Sequence, residues 1–309
     1  MIRFVIKRVL MLIPIMLAVS FIVYFVVDLA PADALDVKYG SEISQEQLEI
    51  MREELGYNDP MIVRYFRYMG GLLHGDLGVS SQSGESVFKL YMEKLPNTIR
   101  LTMWGIFVSL IVAIPLGILA ALKQNTWVDA ACTIVGLAGI SLPCFCTGLF
   151  LILLFSFKLK ILPSFGAEYW YSLILPAITV GLSGAGLILR TTRSSMLEVI
   201  RQDYLTTARA KGVSERKIIM KHALRNALIP IVTVAGNSIA VNIGGAVVTE
   251  TIFAWPGVGR MIINAISARD INLVTGGIIL TTMLSSSITI LVDILYGFID
   301  PRIKARYTK

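Results

Sequence analysis

Residues 101–122 read LTMWGIFVSLIVAIPLGILAAL, twenty-two positions without one ionisable side chain. A hydrocarbon core about 30 Å thick is crossed by roughly 20 apolar residues in helix, so this stretch predicts a membrane span. Five further runs qualify on the same ground: 9–29, 130–157, 173–189, 227–248 and 274–298. The whole composition agrees. Of 309 residues, 55% are hydrophobic and 16% charged, whereas soluble domains carry about 25% charged residues. The expected fold is all-α and integral to the membrane, with six transmembrane helices. Pro14, Pro115, Pro143, Pro176 and Pro230 fall inside these runs. In a bundle, neighbouring helices can satisfy the carbonyls that a proline frees, and such prolines suit helices that kink around a pathway.

The charges say which way the chain faces. Arg3, Lys7 and Arg8 precede the first run, and Ala30-Pro31-Ala32 follows it at a cleavage-like spacing. A cleavable signal has an apolar region of roughly 7–15 residues, so the longer run here predicts a retained helix. With the amino terminus inside, segments 1–8, 123–130, 190–226 and 299–309 hold 17 Lys and Arg, and the short outer loops 158–172 and 250–273 hold 4. The positive-inside rule then predicts both termini in the cytoplasm. The net charge of +7 reads as this basic inner face rather than as a nucleic-acid surface. Segment 31–99 has 6 basic and 11 acidic residues and reads as a small water-exposed extracytoplasmic subdomain. The chain thus divides into a first helix (1–30), that subdomain (31–99) and a five-helix core (100–309) with a cytoplasmic loop at 190–226.

Patterns that could carry covalent chemistry fail on context. Gly181-Leu182-Ser183-Gly184 matches the G-x-S-G of intramembrane serine proteases, and Ser214-Glu215-Arg216-Lys217 matches S-x-x-K. A nucleophilic serine needs a positioned base, yet the only histidines are His74 and His222, both outside the spans. The small residues around Ser183 suit close helix packing, and Ser214 suits a helix N-cap with Glu215 in the first turn. No catalytic residue is assigned, and a serine hydrolase remains only a distant alternative. Cys132, Cys144 and Cys146 share one apolar run, so packing is expected rather than a metal site or a disulfide framework. No G-x-x-x-x-G-K-[ST] occurs, so the chain cannot cradle ATP phosphates in that way. The centres of the runs lack ionisable groups; Asp28, Arg100, Arg190 and Asp293 stand near their ends. An ion-driven carrier needs such groups near mid-membrane. Any active transport is therefore expected to draw on an ATPase partner.

Segment 190–226 carries nine basic and three acidic residues. Asp203-Tyr204-Leu205-Thr206-Thr207-Ala208-Arg209-Ala210-Lys211 reads as a short helix, Gly212 suits the left-handed position that ends one, and Ser214 opens a second helix through Ile218, Ile219 and Leu224 into the fifth span. The prediction is a helix–Gly–helix elbow on the cytoplasmic face, either a basic loop attracted to anionic lipid or a docking element for a soluble partner.

At these residues the chain resembles a known family. Asp203 to Gly212, followed by His222-Ala223-Leu224-Arg225-Asn226-Ala227, is similar to the EAA-loop signature of ABC-importer permeases in its dipeptide, oligopeptide and nickel form, D-Y-V-x-T-A-R-A-K-G then H-A-L-R-N-A. Glu250-Thr251-Ile252-Phe253-Ala254-Trp255-Pro256-Gly257-Val258-Gly259-Arg260 resembles E-x-x-F-x-W-P-G-x-G. Asp293 to Arg302 resembles D-x-x-Y-x-x-x-D-P-R. Gly75-Asp76-Leu77-Gly78-Val79-Ser80 and Leu95-Pro96-Asn97-Thr98 resemble the outer segment of the longer permease of each pair. The chain departs from the usual P-G-D-P after the first helix, with Pro31-Ala32-Asp33-Ala34, and from a common Trp near the third-run proline, with Phe145-Cys146-Thr147.

The resemblance implies a type I importer permease fold, with no enzymatic activity of its own. It implies a homologous second permease, two ABC ATPase subunits that bind the ATP and Mg, an extracytoplasmic solute-binding protein and the surrounding lipid bilayer as partners. This chain would bind no cofactor. Asp203, Tyr204, Thr207, Ala208, Arg209, Ala210, Lys211, Gly212 and Glu215 would couple to the ATPase. Glu250, Phe253, Trp255, Pro256 and Gly257 would form the outer gate, facing the binding protein and the pore mouth. Asn237 and Asn242 are the pore candidates. The implied cargo is di- or oligopeptides, with nickel, a chelated metal or glutathione as alternatives by the same mechanism.

Overall fold

A computed structural model describes residues 2–29, 33–40 and 43–299. The Ala30-Pro31-Ala32 turn, the Asp300-Pro301-Arg302 ending and the side chains of Arg3, Lys7 and Arg8 lie outside the described residues. Helices make up most of the rest. α1 (Ile2–Asp28) is followed by three shorter helices, α2 (Ala34–Tyr39), α3 (Gln45–Leu55) and α4 (Met61–Leu73). Then come α5 (Val87–Leu122), α6 (Trp127–Ser141), α7 (Cys144–Leu151), α8 (Ile174–Ile200), α9 (Asp203–Ala210), α10 (Glu215–Lys217), α11 (Leu224–Gly245), α12 (Val247–Ile252), α13 (Val258–Ser267) and α14 (Ile271–Ile299). The described residues hold no strand, only an isolated bridge between Val79 and Ser86.

Five continuous stretches are long and apolar enough to cross a membrane: Leu10–Asp28, Val87–Leu122, Trp170–Ile200, Glu215–Gly244 and Ile271–Leu295. The run 130–157, expected as one straight span, is instead α6 joined to α7 and a π-helical turn (Ile152–Lys158), with a 101° bend between them. The cause is Pro143. Its ring disfavours the α conformation for the preceding residue, and Leu142 is extended at φ −77°, ψ 124°. Pro14, Pro115 and Pro230 lie inside continuous helices and Pro176 in the first turn of α8, so only one of the five prolines breaks a run. α5 also begins earlier than its apolar run, because Val87–Arg100 continues the same helix with charged residues.

The chain forms two compact units. One holds Ile99–Trp255 together with the ends of the chain, and α8 is its hub. α8 packs on α6, α7 and α11, and Ile188, Leu189, Ala185, Ile231, Ala235 and Ala113 form a continuous buried cluster. Small residues allow the close approach that membrane helices use in place of a hydrophobic driving force. A Cβ at Gly186 would stand 2.2 Å from the carbonyl oxygen of Gly136 on α6. Gly181 meets Val108 of α5 in the same way, and Ser109 Oγ donates to the Gly181 carbonyl at 2.6 Å. Ser183 donates to the carbonyl of Val180 within its own helix.

The second unit holds Ile6–Thr98 and Pro256–Leu284. Asp33 and Ser44 cap α2 and α3 through reciprocal capping boxes with Asp36 and Gln47, and Arg52 bonds Asp33, Asp36 and Glu49 at once. The loop after α4 docks on the turn before α14. Ser80 Oγ donates to the fully buried Asp270 at 2.5 Å, and Asn272 donates to the Val79 carbonyl at 3.0 Å. Leu77, Val87, Ala265, Leu273 and Val274 close over that junction.

Candidate functional site

The elbow is built as the spacing predicts. Leu205 is fully buried among Ala121, Met196, Ile218, Ala223 and Ala227, which anchors α9, while Asp203, Tyr204, Thr207, Arg209, Ala210 and Lys211 remain exposed. Gly212 takes φ +76°. Its N–H donates to the Arg209 carbonyl at 2.9 Å, and the Val213 N–H to the Ala208 carbonyl at 3.2 Å. This bond pair is a Schellman cap, and Ala208 and Val213 both pack on the Leu205 cluster, supplying the apolar contact that accompanies it.

The second half differs in one detail. Ser214 stands at the N-cap of α10 with extended backbone, but its side chain makes no cap bond; its carbonyl receives the N–H groups of Lys217 and Ile218 instead. The first turn is fastened from across the elbow, where Arg209 Nε donates to Glu215 Oε1 at 2.7 Å. Both partners are exposed, so this pair contributes about 1 kcal/mol at most. Asn226 Nδ2 donates to the Tyr204 hydroxyl at 2.6 Å, which ties the two motifs of the elbow together. A π-helical turn (Ile218–Ala223) then leads into α11. The result is a stiff knob with one apolar root and an exposed basic surface.

The residues expected at the outer gate fall into two sets. Glu250, Phe253 and Trp255 are buried in the first unit, at 0%, 1% and 1% exposure. Phe253 packs with Leu151 and Leu175, and Trp255 with Leu101, Leu173, Ala177, Val180 and Ala246. The hook between them is held by Trp255 N–H to the Glu250 carbonyl and Gly166 N–H to the Phe253 carbonyl, with Ala254 at φ +50°. These side chains shape the loop from inside rather than presenting themselves outward. Pro256 and Gly257 belong to the second unit. There Asn97 Nδ2 donates to the Pro256 carbonyl at 3.0 Å, and Thr98 Oγ1 accepts the Val258 N–H at 2.9 Å. The Leu-Pro-Asn-Thr and Trp-Pro-Gly motifs, far apart in sequence, are thus one clamp. Of the pore candidates, Asn237 is exposed and Asn242 half-buried on α11. Cys132 is buried, Cys144 Sγ lies 3.2 Å from Thr249 Oγ1, and Cys146 is exposed.

One pair escaped the sequence reading. Asp129, at the start of α6, takes two bonds of 2.7 Å from the Arg193 guanidinium on α8 and a third from the Asn125 N–H. It lines a cavity of about 600 Å³ with Arg190, Thr133 and Leu137. The available signal was two opposite charges flanking two runs on the same predicted side.

The family model described as "binding-protein-dependent transport system inner membrane component" matches residues 113–305, and its amino-terminal companion matches residues 1–102. The glutathione transport system permease protein GsiC of Shigella flexneri serotype 5b (strain 8401) is 37% identical over 304 residues, covering 98% of this chain and 99% of the relative. GsiC of Escherichia coli (strain K12) is 36% identical over the same share. Among solved structures, the inward-facing MetNI methionine ABC transporter aligns with a TM-score of 0.59 at 17% identity, over 68% of this chain and 96% of that one. An amino acid ABC transporter with histidines aligns at 0.52 and 12% identity, over 70% and 94%; both share the fold. Matched by these models along nearly its whole length, the chain belongs to the inner-membrane permease components of binding-protein-dependent ABC importers.

Proposed function

We propose that this permease carries short peptides into the cytoplasm by alternating access, driven by ATP hydrolysis on two partner ATPases. A homologous sister permease completes the pore, and an extracytoplasmic binding protein delivers the cargo. The observation that carries the reading is the elbow. A Schellman-capped helix rooted by Leu205 and cross-tied by Tyr204–Asn226 and Arg209–Glu215 can pass ATPase closure to the spans as a rigid-body movement, which a floppy loop cannot. Asp203, Thr207, Ala210, Lys211 and Gly212 form its contact surface. The chain makes and breaks no covalent bond in this scheme; ATP and Mg are held by the partners.

The cargo class rests on the relatives, which are named for glutathione transport. Glutathione is a tripeptide, so short peptides and glutathione form one chemical class of small, charged amides. The inward orientation of both termini rests on the 17-to-4 distribution of Lys and Arg. The test is uptake into proteoliposomes holding the permease, its sister and the ATPases, with the binding protein outside and ATP inside. ATP-dependent accumulation of glutathione or a dipeptide is expected. Accumulation of nickel alone, or uptake that survives omission of ATP, would overturn the proposal.

A further inference from the structure

The outer segment 31–99 contains a helix that does not behave as part of a water-exposed subdomain. α4 packs on α1, and its contacts reach from the outer end of that helix down to Leu17. Arg64 pairs with Asp28 at the outer end of the first span. Tyr65 sits edge-on to Phe21, with its hydroxyl 3.0 Å from Ser20 Oγ and 3.3 Å from the Leu17 carbonyl. Ser20 Oγ also contacts the Met69 sulfur at 3.8 Å. At 1.5 Å per residue, Ser20 and Leu17 lie about 12 and 16 Å along α1 from Asp28. One leaflet of the hydrocarbon core is about 15 Å thick. The Tyr65–Met69 turn of α4 therefore touches α1 at acyl-chain depth.

Its side chains fit that depth. The only charges on α4 are Arg64 and Arg67. Helical side chains lean toward the amino terminus, and here both guanidiniums do so, reaching Asp28 and Asp59. That is how an arginine stem is buried while its head stays at the interface. Ile62, Phe66 and Leu73 share the other face and are 59%, 68% and 84% exposed. Phe66 reaches the exposed Phe21 and Phe25 of α1 through ring contacts with Tyr65, so the apolar surface is continuous with a membrane span.

We propose that α4 is seated in the outer leaflet, its Ile62–Phe66–Leu73 face covered by lipid acyl chains. The helix would act as a wedge that anchors the outer segment to the first span. This inference rests on membership of the membrane family and on the inward orientation of the termini proposed above, and stands whatever the cargo is.

The test is site-directed spin labelling of the complete transporter in lipid nanodiscs. Single cysteines replace Phe66 and Leu73 in a background in which Cys132, Cys144 and Cys146 have been changed to alanine. Ile22→Cys serves as the lipid reference and Ile50→Cys on α3 as the water reference. Labels at 66 and 73 should collide freely with oxygen and poorly with a water-soluble nickel chelate, as at position 22. Access to the nickel chelate as at position 50 would overturn the proposal, and so would poor access to both agents, which would mean a protein surface covers the face. A second measurement needs no cysteine-free background. Phe66→Leu should leave the amount of assembled transporter in the membrane unchanged, and Phe66→Asp should lower it several-fold. Equal amounts for both variants would count against the lipid contact.

Discussion

Two residues show how local conformation limits what the chain can substitute. Thr98 is 1% exposed, and its Oγ1 accepts the N–H of buried Val258 at the start of α13. Thr98→Val keeps the shape and removes the acceptor. A buried donor left unmade costs roughly 1–3 kcal/mol, so the apparent melting temperature in detergent should fall. Thr98→Ser, which keeps an acceptor, should fall less; equal losses would show that the methyl rather than the hydrogen bond matters. Gly212 is the second case. A Cβ there would meet nothing within 4 Å, so space is not the issue; φ +76° is. The left-handed region costs an ordinary residue about 1–2 kcal/mol, is tolerated by Asn, and is a genuine outlier for a β-branched side chain. Gly212→Asn should keep most ATP-driven uptake. Gly212→Val should insert normally and lose coupling, and normal uptake by that variant would sink the elbow's role.

Among the elements, α2 and α3 depend on one arginine. Arg52 Nε and Nη2 bond Asp33 and Asp36 at 2.8 and 2.5 Å. The Asp33 backbone N–H, then the Arg52 guanidinium, hold the Asp36 carboxyl below its ordinary 3.8. A carboxyl lowered in the folded state contributes stability that is fully present above its unfolded value and lost as pH falls through the folded one. The protection factors of amides across 34–55, which correct for the intrinsic slowing of exchange in acid, should therefore fall below about pH 4, while those of α8 stay unchanged. The effect is small, about 1 kcal/mol or less, because the pair is partly solvated. An Arg52→Ala variant should exchange fast at neutral pH already. Much of this architecture was legible in the residues. Hydropathy located the spans, and Gly212 located the elbow, because a left-handed cap leaves a mark on sequence. The 101° bend after α6 was not, since Pro143 resembles Pro115 and Pro230, which interrupt nothing. What differs is whether neighbours can absorb a missing N–H, and that is a tertiary fact. Asp129–Arg193 and the Asn97–Pro256 clamp were hidden for the same reason, because each joins positions at least 64 residues apart.

At the scale of the whole molecule, the distribution of polar groups bears on who chooses the cargo. The side chains expected at the outer gate, Glu250, Phe253 and Trp255, are buried in the chain's own core, and the pore candidates Asn237 and Asn242 share α11 with Thr233 and Ser238. A site that discriminates strongly needs buried polar groups that a wrong cargo leaves unpaired, and the binding protein is better placed to supply them. On that reading the permease would be permissive and well coupled rather than selective. Two outcomes are expected in reconstituted transporters. Asn237→Ala and Asn242→Ala should change uptake of glutathione and of a dipeptide by a similar factor, leaving their ratio within about twofold. Replacing the binding protein with one of different specificity that still docks should move that ratio by the specificity of the replacement, through an unchanged permease. If instead either asparagine variant reverses the preference between the two cargoes, recognition resides in the membrane pore. The buried gate residues would then be holding a selective surface in place.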